Sequence, residues 1–144
     1  MLSKKYIYIL FFSLMCLGQN LKAESKLVII VNHSNEIDKL SLEDAQMIFM
    51  GTKNFFKNGN RVSIVDQDKE GSVYSDFYKR LINLSPKEMS IYWAKLLFAG
   101  KGRPPFKVDN DKDVITWVEN NVNGIGYITS DHLDQNVKQV LMLP

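Results

Sequence analysis

The run Leu27-Val28-Ile29-Ile30-Val31 constrains the fold more than any other segment of the chain. Five consecutive apolar residues leave no polar face, and four are β-branched, so the segment reads as a short strand buried in a sheet. Asn32–Lys39 is polar and turn-like. Ser41, three residues before Asp44, then opens a helix through about Met50 with Leu42, Ala45, Ile48 and Phe49 at helical spacing, and Gly51 closes it. Asn58-Gly59-Asn60 signals a turn, and Arg61–Asp66 alternates into a second strand. A polar loop, Gln67–Gly71, leads to a helix from about Ser72 to Asn83. Ser85-Pro86-Lys87-Glu88 marks another helix start, running to about Phe98. Gly102–Pro105 is too rich in Pro and Gly to be regular. Asp109 or Asn110 starts a further helix, Gly124–Ile128 is a short strand, and Val137–Met142 a last one. Strand and helix alternate, which predicts an α/β fold, a mixed sheet flanked by helices.

The first 23 residues belong to a different class. Lys4 and Lys5 precede an apolar run from Tyr6 to Leu17, and Leu21-Lys22-Ala23 places a small residue before a cut. The order is that of a signal peptide spanning 1–23, cleaved after Ala23. The run is too short for a spanning helix, which needs about 20 apolar residues, so the mature chain is expected to be periplasmic with no stable membrane insertion. Without the leader, the 18 basic residues fall to 15 against 16 acids, a net charge of −1. The overall basic balance therefore belongs to the leader and is no argument for a nucleic-acid partner. The single cysteine, Cys16, leaves as well, which excludes structural disulfides, zinc thiolates and thiol catalysis. Residues 24–144 then form one domain that relies on its hydrophobic core.

Among candidate sites, Asp66-Gln67-Asp68-Lys69-Glu70-Gly71-Ser72 joins a strand end to a helix start. Unpaired amides and the helix dipole favour an anion there, and Ser72 can add a hydroxyl donor, although serine more often caps its own helix. The loop carboxylates would repel a dianion unless one of them accepts its proton. Asn32-His33-Ser34-Asn35 follows the first strand, where ligands of open α/β sheets usually sit; its plainer reading is an Asx turn. Asp109, Asp111 and Asp113 alternate like a calcium loop, but Val114 and Asn120 replace the required glycine and glutamate, so capping is expected. Lys101, Arg103 and Lys107 read as a solvated basic connection. Tyr78, Tyr92, Trp93, Phe98 and Trp117 read as core. No nucleophile–base pair, metal set or cofactor motif is visible, so no enzyme is expected.

Several of these segments resemble, in order, the phosphate-binding proteins of ABC transporters. They are Val28–Asn35, Leu40–Ala45 with Ile48-Phe49-Met50-Gly51, Asp66-Gln67, Phe77–Arg80, Tyr92-Trp93, Phe98–Pro105 and Gly124–Tyr127. The resemblance is to a short, one-lobe subgroup of that type 2 periplasmic-binding-protein superfamily. It implies a non-enzymatic, solute-binding-like protein taking phosphate or another small oxyanion for transport or sensing, with no cofactor. Carried onto this chain, the ligand-binding loops supply Asn32, Ser34 and Asn35, and Gln67, Gly71 and Ser72. The short relatives often carry Arg where this chain has Tyr74, so one charged donor is replaced. With one lobe the ligand keeps an open face, which a homodimer or an envelope protein partner would close. The alternative from another class is a ligand-free interaction module that docks on an envelope sensor or transporter.

Overall fold

The computed structural model describes residues 25–144, so the leader and its cleavage site lie outside the described residues. Five strands form one mixed sheet: β1 (Leu27–Asn32), β2 (Ser63–Gln67), β3 (Phe106–Val108), β4 (Gly124–Thr129) and β5 (Val137–Met142). Their order across the sheet is β3-β2-β4-β1-β5. β2 runs parallel to β3 and β4, while β1 runs antiparallel to both β4 and β5. Four helices accompany them: α1 (Leu42–Phe49), α2 (Ser72–Ile82), α3 (Pro86–Phe98) and α4 (Asp111–Glu119).

The apolar run Leu27–Val31 is buried at every position. Its two faces serve two cores, as the period of two requires. Leu27, Ile29 and Val31 join the larger core with Ile48, Phe49, Phe77, Tyr78, Met89 and Trp93, which α1, α2 and α3 build on one face. Val28 and Ile30 join Val65, Val114, Val118 and Ile128 beneath α4 on the other. The α/β fold expected from the alternation of patterns is the one found.

The helix starts also follow the sequence. Ser41 Oγ accepts from the Asp44 amide, Asn110 caps α4 through the Asp113 amide, and Ser85 with Glu88 completes a capping box on α3. α2 ends on Asn83 in the left-handed conformation (φ 58), which lets the chain reverse into the Ser85 cap within two residues. Phe106–Val108 adds a third parallel strand that no sequence pattern announces. One expectation fails. Phe98 is not core but 91% exposed, because α3 turns Met89 and Trp93 inward and Phe98 points away from them.

Among the described residues no helix is long and apolar enough to cross a membrane.

Candidate functional site

Strand direction decides what can converge. β2, β3 and β4 are parallel, so their carboxyl ends, Gln67, Val108 and Thr129, share one edge of the sheet. α2 and α4 start at that edge. A cleft of about 810 Å³ opens there, lined among others by Gln67, Gly71, Ser72, Val73, Asp111 and His132.

The start of α2 carries the donors. Gly71 is the N-cap and makes no side-chain cap bond, so Ser72 does not cap its own helix as serine usually does. The first amides of α2, at Ser72, Val73 and Tyr74, therefore lack an intrahelical acceptor and sit at the positive end of the helix dipole. Gly71 and Ser72 are both exposed on the cleft.

The floor is a buried polar network. The Asp66 carboxylate accepts from Tyr127 Oη at 2.6 Å, from Tyr78 Oη at 2.8 Å and from the Gln67 amide at 2.8 Å. Burial nevertheless holds its pKa above the usual carboxylate range, against the pull of these donors and of Lys107. Burial and the neighbouring Asp66 charge push both tyrosine hydroxyls well up, so they remain donors. Lys107 Nζ lies 4.9 Å from the centre of the Tyr74 ring, a cation–π contact that brings one positive charge towards this floor.

Gln67 connects the floor to the far wall. Its Nε2 donates to Asp111 Oδ1 at 2.7 Å and to the Tyr127 carbonyl at 3.0 Å, which leaves only its oxygen to a ligand. Asp111 Oδ2 accepts from the Thr129 amide and hydroxyl, and lies 2.7 Å from His132 Nδ1. Burial raises the Asp111 pKa, but the bonds from His132, Thr129 and Gln67 outweigh it, and the net shift is downward. Asp109, Asp111, Glu119 and Asp134 line the cleft against Lys112 and His132, so its walls favour a monoanion over a dianion.

The other loop is elsewhere. β1 runs against β4, with Leu27 opposite Thr129 and Val31 opposite Ile125, so Asn32, Ser34 and Asn35 leave the sheet at the opposite edge. There they close the end of α4. Asn32 Nδ2 donates to the Val118 and Glu119 carbonyls, Asn35 Nδ2 to the Val122 carbonyl, and Asn32 Oδ1 takes the Ser34 amide. The plain Asx-turn reading describes them, and the structure does not bring them to Gln67, Gly71 and Ser72. The network of Gln67, Asp111, Thr129 and His132 was missed by sequence reasoning, since its members are 44 and 21 residues apart and no local pattern links them. Among the described residues no group of three His, Cys, Asp or Glu side chains is placed to hold a metal.

This geometry is that of one α/β lobe with its candidate site at the carboxyl edge of parallel strands. Solved structures share the fold of this lobe. An ABC-type phosphate transport receptor from Vibrio cholerae superposes with a TM-score of 0.64 at 18% identity, covering 81% of this chain and 45% of that one. A putative phosphate ABC transporter substrate-binding protein with bound phosphate from Clostridium perfringens gives 0.65 at 19%, covering 81% and 44%. PstS from Borrelia burgdorferi gives 0.61 at 14%, covering 81% and 46%. In fold, the chain is a short one-lobe counterpart of these proteins, and it spans less than half the length of each. No family model and no curated protein matches the sequence.

Proposed function

We infer that the protein is an exported, non-enzymatic, solute-binding-like lobe that takes phosphate or another small oxyanion at the start of α2, for transport or sensing in the periplasm. One observation carries the reading: the α2 start has no side-chain cap and opens on the cleft at Gly71 and Ser72. The fold shared with phosphate-binding proteins supports it.

The energetics are adequate only for a modest affinity. Micromolar binding needs about 8 kcal/mol. Each hydrogen bond to a charged group is worth about 1.5–3 kcal/mol, and a helix start adds about 0.3–2 kcal/mol. Three amides and the Ser72 hydroxyl reach that range for a ligand that is largely buried. The open side of the cleft and its four carboxylates weaken it, and they favour the singly charged form of the anion. Calorimetry of Glu24–Pro144 with phosphate, sulfate and small carboxylates tests the reading; silence with all of them at millimolar concentration removes the ligand.

The second reading is an interaction module that docks on an envelope sensor or transporter without a ligand. The acidic lining of the cleft favours it, because a basic segment of a partner fits that lining better than a dianion does. Retention of an envelope protein by the immobilised chain, with no heat on phosphate addition, is its signature.

A further inference from the structure

Helix α3 is apolar on both sides, yet it covers the core with only one. Met89 and Trp93 are buried and Tyr92 and Leu96 are partly so, whereas Ile91, Ala94 and Phe98, at i, i+3 and i+7, form a stripe on the solvent side. Ile91 is 47% and Phe98 91% exposed, with Leu97 exposed at the flank of the stripe. Burial accounts for an apolar inner face; among the described residues nothing covers the outer one.

The charges around the stripe are mostly basic. Between Met89 and Val108 the sequence holds Lys95, Lys101, Arg103 and Lys107 and no acid, in a mature chain whose net charge is −1. Lys87 precedes Ile91 by one turn on the same face, and Lys95 lies beside the stripe. No ion pair among the described residues engages Lys87, Lys95, Lys101 or Arg103. Glu88, the one acid on α3, is held in the Ser85 capping box. Four acids, Asp109, Asp111, Glu119 and Asp134, line the cleft.

We propose that the outer face of α3 docks on an anionic lipid bilayer, with Ile91, Leu97 and Phe98 entering the headgroup boundary and Lys87, Lys95 and Lys101 meeting lipid phosphates. An apolar stripe with a basic margin is the pattern that lies in a membrane interface, where lysine stems cover apolar surface and their heads reach the phosphates. A second copy is a poor occupant, because a two-fold contact through this face sets lysines against lysines. The stripe ends in Phe98, whose ring is almost wholly exposed, and this suits insertion between headgroups. The proposal is independent of the oxyanion reading.

The test is vesicle co-sedimentation of Glu24–Pro144, which holds the whole sheet and both cores without the apolar leader. The expected result is binding to vesicles of phosphatidylglycerol with phosphatidylethanolamine, at least ~10-fold weaker binding to phosphatidylcholine vesicles, and release by salt at ~0.5 M. I91D with F98D removes the binding, and K95E with K101E lowers it at least ~10-fold, each with an unchanged circular dichroism spectrum, since all four side chains are exposed. The proposal is overturned by no binding to the anionic vesicles at low salt, or by equal binding of the I91D/F98D variant. It is also overturned by a concentration-dependent dimer that F98D abolishes, which assigns the face to a second copy. Capture by polyglutamate in the absence of vesicle binding overturns it too, in favour of an acidic protein.

Discussion

The Gln67 side-chain amide donates to the Asp111 carboxylate at 2.7 Å and so fastens the end of β2 to the first residue of α4. Both residues line the cleft. It also makes folding depend on the Asp111 charge, because Asp111 is held below its usual pKa. A carboxylate with a depressed folded pKa contributes stability that is present above its unfolded pKa of about 3.9 and is lost as pH falls through the folded value. Asp66 has the opposite sign. Its raised pKa gives a contribution that is present below about 3.9 and is lost as pH rises through the folded value. Urea midpoints measured against pH separate the two. D111N is expected to flatten the acid limb below about pH 4, and D66N the limb above it.

The buried tyrosines give a second expectation. Tyr127→Phe and Tyr78→Phe each remove one hydrogen bond to Asp66, with an expected loss of about 1–3 kcal/mol apiece. Asp66→Ala leaves both hydroxyls without their acceptor and is expected to cost about 3–5 kcal/mol. Urea unfolding at neutral pH reads all three.

Asn32 tests the placement of the first loop. Asn32→Ala leaves the Val118 and Glu119 carbonyls at the end of α4 without their donor, which is expected to cost about 2 kcal/mol of stability. Phosphate binding by the folded variant is expected to be unchanged, because the residue does not line the cleft and leaves the sheet at the edge opposite the α2 start. Thermal unfolding with and without phosphate checks both parts.

Gly126 lies in β4 between the two layers. A Cβ there would stand 2.7 Å from Val114 Cγ1 and 2.8 Å from Val65 Cγ1, closer than real Cβ contacts. Gly126→Ala is therefore expected to destabilise by about 1–3 kcal/mol through overpacking. V114A removes one of these two close contacts, so denaturation midpoints of G126A, V114A and the double variant are expected to be non-additive.

Much of the fold was legible because its signals are local. The run at Leu27–Val31, the caps at Ser41 and Ser85, and the periodicities between them each depend on neighbours in sequence. Strand direction is not local. Nothing in Leu27–Val31 says that it pairs antiparallel to Gly124–Thr129, and that direction alone moves Asn32, Ser34 and Asn35 away from Ser72. Phe98 was misread for a related reason. α3 carries apolar residues on both sides, so spacing identifies a helix without telling which side meets the core. Phe106–Val108 is short, exposed and at the edge of the sheet, so its pairing with β2 leaves no hydrophobic pattern behind. Of the candidate site, Gly71 and Ser72 were visible as a loop–helix junction, but Asp111 and His132 come together only through the sheet.

The central claim is that a small oxyanion sits on the amides that begin α2. Backbone amide resonances of Glu24–Pro144 followed through a phosphate titration test it most directly. Saturable shifts are expected at Ser72, Val73 and Tyr74, with none at Ser34 and Asn35. Unmoved α2 amides at millimolar phosphate, or shifts confined to the Asn32–Asn35 loop, would contradict it.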